Sequence, residues 1–102
     1  MLTFDAVFEI FRPYLEADPA CELVHTRHGW AVMLWDNTGK EWTDVCCCGT
    51  PEALFDKLLE SALLFQTYIL LVASGADTLT TQEQAQVEAA KRSYLERRKE
   101  FQ

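Results

Sequence analysis

The sequence predicts an α+β domain whose elements run helix, three-stranded antiparallel β-meander, long central helix, C-terminal helix (α-β-β-β-α-α). Three observations carry that prediction. Apolar residues recur at spacings of three and four before residue 17 and between residues 50 and 75. Segments of strand character between residues 22 and 47 are cut by His28-Gly29 and by Asn37-Thr38-Gly39-Lys40. Thr80 and Glu83 then stand at capping-box spacing before a last, mostly polar helix. With 102 residues, 49% of them hydrophobic, the chain reads as one domain, residues 1–102, able to bury a core without disulfides.

The first helix is expected over residues 2–17, where Phe4, Val7, Phe8, Phe11, Tyr14 and Leu15 share a face. Thr3 or Asp5 serves its start. Pro13 lacks an N–H and crowds the carbonyl of Glu9, so a kink or break is expected there. Asp18-Pro19 ends the segment.

Three strands follow: Glu22–Arg27, Trp30–Asp36 and Glu41–Cys47. His28-Gly29 suits a two-residue hairpin turn. The second strand is apolar on both faces, as in a strand covered on both sides. Its register with the third is where local rules conflict. A three-residue loop ending at Gly39 pairs Asp36 with Lys40 and puts Asp44 on the row of Val32. A four-residue loop pairs Trp35 with Trp42 and sends Val45 and Cys47 to the row of Trp30, Val32 and Leu34. A one-residue slip exchanges every face. The four-residue loop is preferred, because burying Asp44 unpaired costs several kcal/mol, roughly.

The central helix has clear ends. Thr50 is a natural N-cap, Pro51 occupies N1, Glu52 complements the helix dipole, and Gly75 suits the left-handed position after the last turn. Leu54, Phe55, Leu58, Leu59 and Ala62 form its stripe. From Ala62 to Ala73 only Gln66, Thr67 and Tyr68 carry polar groups. Glu60 and Gln66 interrupt a membrane-length run, so a buried helix of a soluble protein is expected. Its excess apolar surface calls for cover by the C-terminal helix or another subunit. That last helix, Thr81 to about Lys99, has a thin stripe: Val87, Ala90, Tyr94 and Leu95, with Phe101 beyond. Lys91, Arg92, Arg97, Arg98 and Lys99 cluster at its end.

The net charge of −7 is concentrated in residues 1–80, which carry 4 basic and 12 acidic side chains. Direct nucleic-acid binding is disfavoured, because phosphate recognition needs clustered Lys and Arg. The α-β-β-β-α order resembles that of double-stranded-RNA-binding domains, in order alone. Where those domains start the helix with basic residues, Pro51-Glu52 stands here, so RNA binding does not carry over. The N-terminus lacks a basic segment followed by an apolar run, which predicts a cytoplasmic protein with reduced cysteines.

Chemistry-bearing motifs are scarce. No P-loop, G-x-G-x-x-G or G-x-S-x-G occurs. Cys21, His25, His28 and the triplet Cys46-Cys47-Cys48 are metal-ligand types without metal-ligand spacing. Cys48 precedes the N-cap of the central helix, where a helix dipole favours a thiolate nucleophile. The function expected is that of a non-enzymatic adaptor or regulatory protein acting on another protein. A narrower form of this expectation is an acidic inhibitor of a basic or nucleic-acid-binding partner, and a homodimer is expected. No cofactor, small-molecule ligand, nucleic acid or membrane is expected. The alternative is a metal or thiol-redox protein using Cys46–Cys48. The candidate protein-binding residues are Met33, Trp35 and Trp42, which share a sheet face in the four-residue-loop register. The basic run Lys91–Lys99 is a second candidate surface.

Overall fold

The computed structural model describes residues 1–102. Its elements are α1 (Phe4–Ala17), β1 (Cys21–Thr26), β2 (Gly29–Trp35), β3 (Trp42–Cys48), α2 (Pro51–Ser74) and α3 (Thr81–Lys99). The sheet is an antiparallel meander in the order β1-β2-β3. This is the α-β-β-β-α-α architecture expected.

Each helix starts where its side chains dictate. The hydroxyls of Thr3, Thr50 and Thr80 accept from the backbone N–H of Ala6, Ala53 and Glu83. The Glu83 carboxylate closes the capping box on the Thr80 N–H at 2.9 Å. Gly75 ends α2 at φ 69°, its N–H donating to the Leu71 carbonyl. Of the kink or break expected at Pro13, the break does not occur: α1 runs continuously from Phe4 to Ala17. Pro13 lies on the exposed side of the helix. The buried face of Val7, Ile10, Phe11 and Tyr14 holds the helix together across the missing hydrogen bond.

α1 and α2 pack on one face of the sheet, and α3 packs on α1 and α2. Val7, Ile10 and Phe11 of α1, Val32 and Cys48 of the sheet, and Leu54, Phe55 and Leu58 of α2 make the centre of the core. α3 contributes no fully buried residue. Tyr94 stacks on Phe11 at 4.7 Å, and Arg97 Nη1 donates to the Ile10 carbonyl at 3.2 Å. The Arg98 guanidinium lies over the Phe55 ring at 4.8 Å. Two residues of the basic run therefore hold α3 to the body, while Leu95, expected on the inner stripe, is exposed.

The hairpins correct the sequence reading twice. The first turn is Arg27-His28, with Thr26 opposite Gly29. Gly29 is a strand residue at φ 124°, and a Cβ there would stand 2.3 Å from the Cys48 carbonyl oxygen. The second hairpin has the four-residue loop, with Trp35 opposite Trp42 and the Asp36 N–H donating to the Glu41 carbonyl. Beyond Trp42, however, Thr43 is an extra residue, and Leu34 pairs with Asp44. Cys46 and Cys48, rather than Val45 and Cys47, thus join the inward row of Trp30, Val32 and Leu34, and Asp44 joins it too. The penalty expected for Asp44 does not arise in full: its side chain stays 44% exposed, and Lys57 Nζ of α2 lies 2.6 Å from its Oδ2.

This ion pair sets a pH dependence. The Lys57 ammonium holds the Asp44 carboxyl below the usual carboxylate range, mainly by its hydrogen bond and then by its charge. A lowered folded-state value stabilises the fold above the unfolded value of about 4. That contribution is lost as pH falls through the lower, folded value. Urea midpoints measured from pH 6 downwards are expected to fall in that acid window. Lys57→Met is expected to leave a shallower acid limb, because it removes the largest causes that lower the Asp44 carboxyl in the folded state.

Candidate functional site

Because α1 and α2 pack on one face of the sheet and α3 packs on those helices, the other face of the sheet is uncovered. Val24, Met33, Trp35, Trp42 and Val45 share it. Val24, Trp42 and Val45 are exposed, and Val45 is 55% accessible. Trp35 and Trp42 lie ring on ring, with centroids 3.4 Å apart and planes 30° apart. Their cross-strand pairing immediately before the bulge brings them together. The Trp35 indole N–H donates to Glu22 on β1 at 3.3 Å, which orients the ring from the far edge strand. Met33, Trp35 and Trp42, the residues singled out from sequence, are thus brought onto one open face. Val45 was missed, because it was assigned to the inner row; only the bulge at Thr43 turns it outward.

A second apolar surface runs along α2. The buried residues of this helix end at Ala62. Beyond them Leu64, Tyr68, Ile69 and Val72 are 48–62% exposed. The burial expected for this half-helix is not supplied by α3. By length and composition α2 is apolar enough to cross a membrane, with 17% of that window buried. Between distal α2, the end of α1 and the β2–β3 loop lies an open cleft of about 840 Å³. Leu34, Trp35, Leu64, Tyr68 and Ile69 line it. Two carboxylates stand on its rim, and both are committed internally. Asp18 accepts from the Tyr14 hydroxyl at 2.8 Å and from the Ala20 N–H. Asp36 accepts from the Thr38 hydroxyl and from the N–H groups of Thr38 and Lys40. Burial and the Asp18 contact push the Tyr14 phenol upward, so it stays a proton donor.

Ser61, at the foot of this cleft, is 4% exposed and its hydroxyl has no hydrogen-bond partner. A buried unpaired hydroxyl costs about 1–3 kcal/mol. Ser61→Ala removes it and improves helix propensity. The variant is expected to gain about 1 kcal/mol of stability, read as a raised urea midpoint at unchanged slope.

The thiols are held apart in character. Cys47 is exposed on the outer face, 3.8 Å from the Thr26 hydroxyl. Cys46 and Cys48 point inward with their sulfurs 4.0 Å apart. Cys48 is 1% exposed, and burial together with Cys46 pushes its thiol up to about 11. The dipole of α2 does not overcome that desolvation, so the environment opposes a Cys48 thiolate. His25 stacks on Trp30 at 4.7 Å, and Trp30 pairs in turn with Cys48, standing between the imidazole and that thiol. His25, His28 and the triplet form no group of ligand side chains able to hold a metal ion. Iodoacetamide at pH 8 is expected to label Cys47 first and Cys48 last in the folded protein, which mass mapping of partial digests reads directly.

Comparison with protein-family models, with curated proteins and with solved structures finds no match to this chain.

Proposed function

We propose that the chain is a small non-enzymatic adaptor or regulatory domain of the cytoplasm, which grips another protein through the open face of its sheet. The observation that carries this reading is the uncovered pair Trp35/Trp42, flanked by Met33 and Val45, on a face that no helix reaches. Stacked indoles anchored by a side-chain hydrogen bond are rigid. They therefore lose little rotamer freedom on docking, and buried aromatic anchors supply most of the energy of typical interfaces. The exposed carboxylates Glu22 and Glu41 border these rings. With a net charge of −7, they favour a partner with a basic rim, including one whose basic site normally takes nucleic acid.

The test is cross-linking in intact cells followed by mass spectrometry, comparing the natural chain with Trp42→Ala and with Met33→Ala/Trp42→Ala. Both variants remove partly exposed side chains, so circular dichroism is expected to be unchanged. Loss of one defined partner from both variants supports the reading. An identical set of cross-linked proteins in all three sinks it. For a basic partner, Glu22→Gln/Glu41→Gln is expected to slow association and weaken its salt dependence.

A further inference from the structure

We infer that the distal half of α2 and the cleft beside it are closed by the same segment of a second copy of this chain. The two helices pack antiparallel about a two-fold axis near Tyr68. This goes beyond the sheet-face reading and uses a different surface. Leu64, Tyr68 and Val72 follow one another at i, i+4 and i+8, so they form one straight ladder. Each is 58–62% exposed, and Ile69 beside them is 48% exposed. Water is a poor neighbour for such a ladder, and a monomer gives it no other.

Charge selects the occupant. Residues 61–76 contain no Asp, Glu, Lys or Arg, in a chain whose net charge is −7. Two such chains repel unless they meet where neither carries charge, and this is the longest stretch that qualifies. A basic partner finds nothing to pair with here. The only carboxylates on the cleft rim, Asp18 and Asp36, already accept hydrogen bonds from their own chain. A bilayer is a poorer fit. The charge-free segment spans about 24 Å as helix, short of the roughly 30 Å hydrocarbon core. The preceding turns carry Asp56, Lys57 and Glu60, and Leu54, Phe55 and Leu58 are fully buried in the core.

The shape agrees. The radius of gyration is 14.3 Å, against about 13 Å expected for a compact chain of this length. The molecule is only 17 Å across its shortest axis. Fifteen of 102 residues are buried, a small core that a symmetric partner enlarges. In an antiparallel two-fold arrangement centred on Tyr68, Leu64 meets Val72 of the second copy and the two Tyr68 rings lie side by side. A large residue then faces a smaller one on either side of the axis. Each helix also leans over the other's cleft, reaching Leu34. That is the isologous geometry of a C2 dimer.

The experiment is sedimentation velocity on the full chain at about 10 μM, above the dissociation constant of a modest helix-pair interface. A dimer of twice 11.7 kDa is expected. Tyr68→Arg/Val72→Arg, and independently Leu64→Lys, are expected to weaken dimerisation by at least about 100-fold, giving monomers with unchanged circular dichroism. Trp42→Ala, on the sheet face, is expected to stay dimeric. Failure of the partner proposal therefore leaves this result standing, and the reverse. A natural chain that sediments as a monomer overturns the inference. So does a dimer that survives both α2 variants, or one that Trp42→Ala dissociates. Flotation of the natural chain with phosphatidylcholine vesicles, lost in the α2 variants, also overturns it and assigns the face to lipid.

Discussion

Gly29→Ala is expected to lower stability by more than about 3 kcal/mol, dropping the melting temperature by on the order of 20 °C for a domain of this size. Two costs combine. The backbone at φ 124° is one that side-chain-bearing residues rarely adopt. The added Cβ would also stand 2.3 Å from the Cys48 carbonyl oxygen and 2.9 Å from the Gly49 Cα. Both atoms are backbone, so relief means displacing the end of β3 at the point where the chain turns into α2. Gly39 and Gly75 separate the two costs. They have φ 70° and 69°, and nothing stands within 4 Å of a Cβ built at either. Alanine there is expected to cost only the conformational share, about 1–2 kcal/mol. Urea denaturation of the three variants checks this. Equal losses at all three sites would mean that the contact with Cys48 contributes nothing.

Phe11→Ala is expected to cost about 3–5 kcal/mol and to loosen α3 in the same step. Phe11 is fully buried. Its ring meets Phe55 edge-on at 5.2 Å and stacks with Tyr94 at 4.7 Å, so one side chain ties α1 to both other helices. Truncation leaves a cavity beneath Tyr94, the deepest point at which α3 is held. Hydrogen exchange between residues 91 and 99 is expected to rise more than in the sheet. Tyr94→Ala, which removes a half-buried ring, is expected to cost about 1–2 kcal/mol and leave the sheet's protection unchanged. If Phe11→Ala unfolds α1, α2 and α3 with identical protection loss, α3 belongs to the same cooperative unit as the core.

What could be read from sequence divides along a physical line. The caps Thr50, Thr80 with Glu83, and Gly75 act within a turn of themselves, so residue type and spacing state them directly. The element order follows from periodicity for the same reason. Gly29 was assigned to a turn because turns are what glycine usually makes. Its contact partner, Cys48, is nineteen positions away, and no local rule points there. The strand register failed in a more instructive way. The loop length was legible from the apolar pattern, which pairs Trp35 with Trp42 and outweighs the turn chemistry that favours a three-residue loop ending at Gly39. The bulge beyond it turns a half-exposed Asp44 inward to meet Lys57 of α2, where pattern arithmetic sees only an unpaired charge. The candidate face survived because Trp35 and Trp42 precede the bulge. The exposed ladder on α2 was legible as excess apolar surface, but its lack of cover was not, because cover is a property of where α3 lands.

The extra residue at Thr43 has a consequence for how this chain tolerates change. A bulge is a parity element: it decides which alternate residues of β3 face which side. Regular pairing that kept Thr43 in the ladder, opposite Leu34, would instead exchange the two sides of β3 beyond Trp42 at once. Val45 and Cys47 would turn toward α2, while Asp44, Cys46 and Cys48 would turn toward solvent, stranding the Lys57 ammonium without its anion. A one-residue insertion or deletion between Asp44 and Cys48 would likewise exchange the sides of the residues beyond it, whereas loss of Thr43 alone keeps every pair. Lineages of this fold should therefore accumulate insertions in the loop from Asn37 to Lys40 and hold the count from Asp44 to Cys48 invariant.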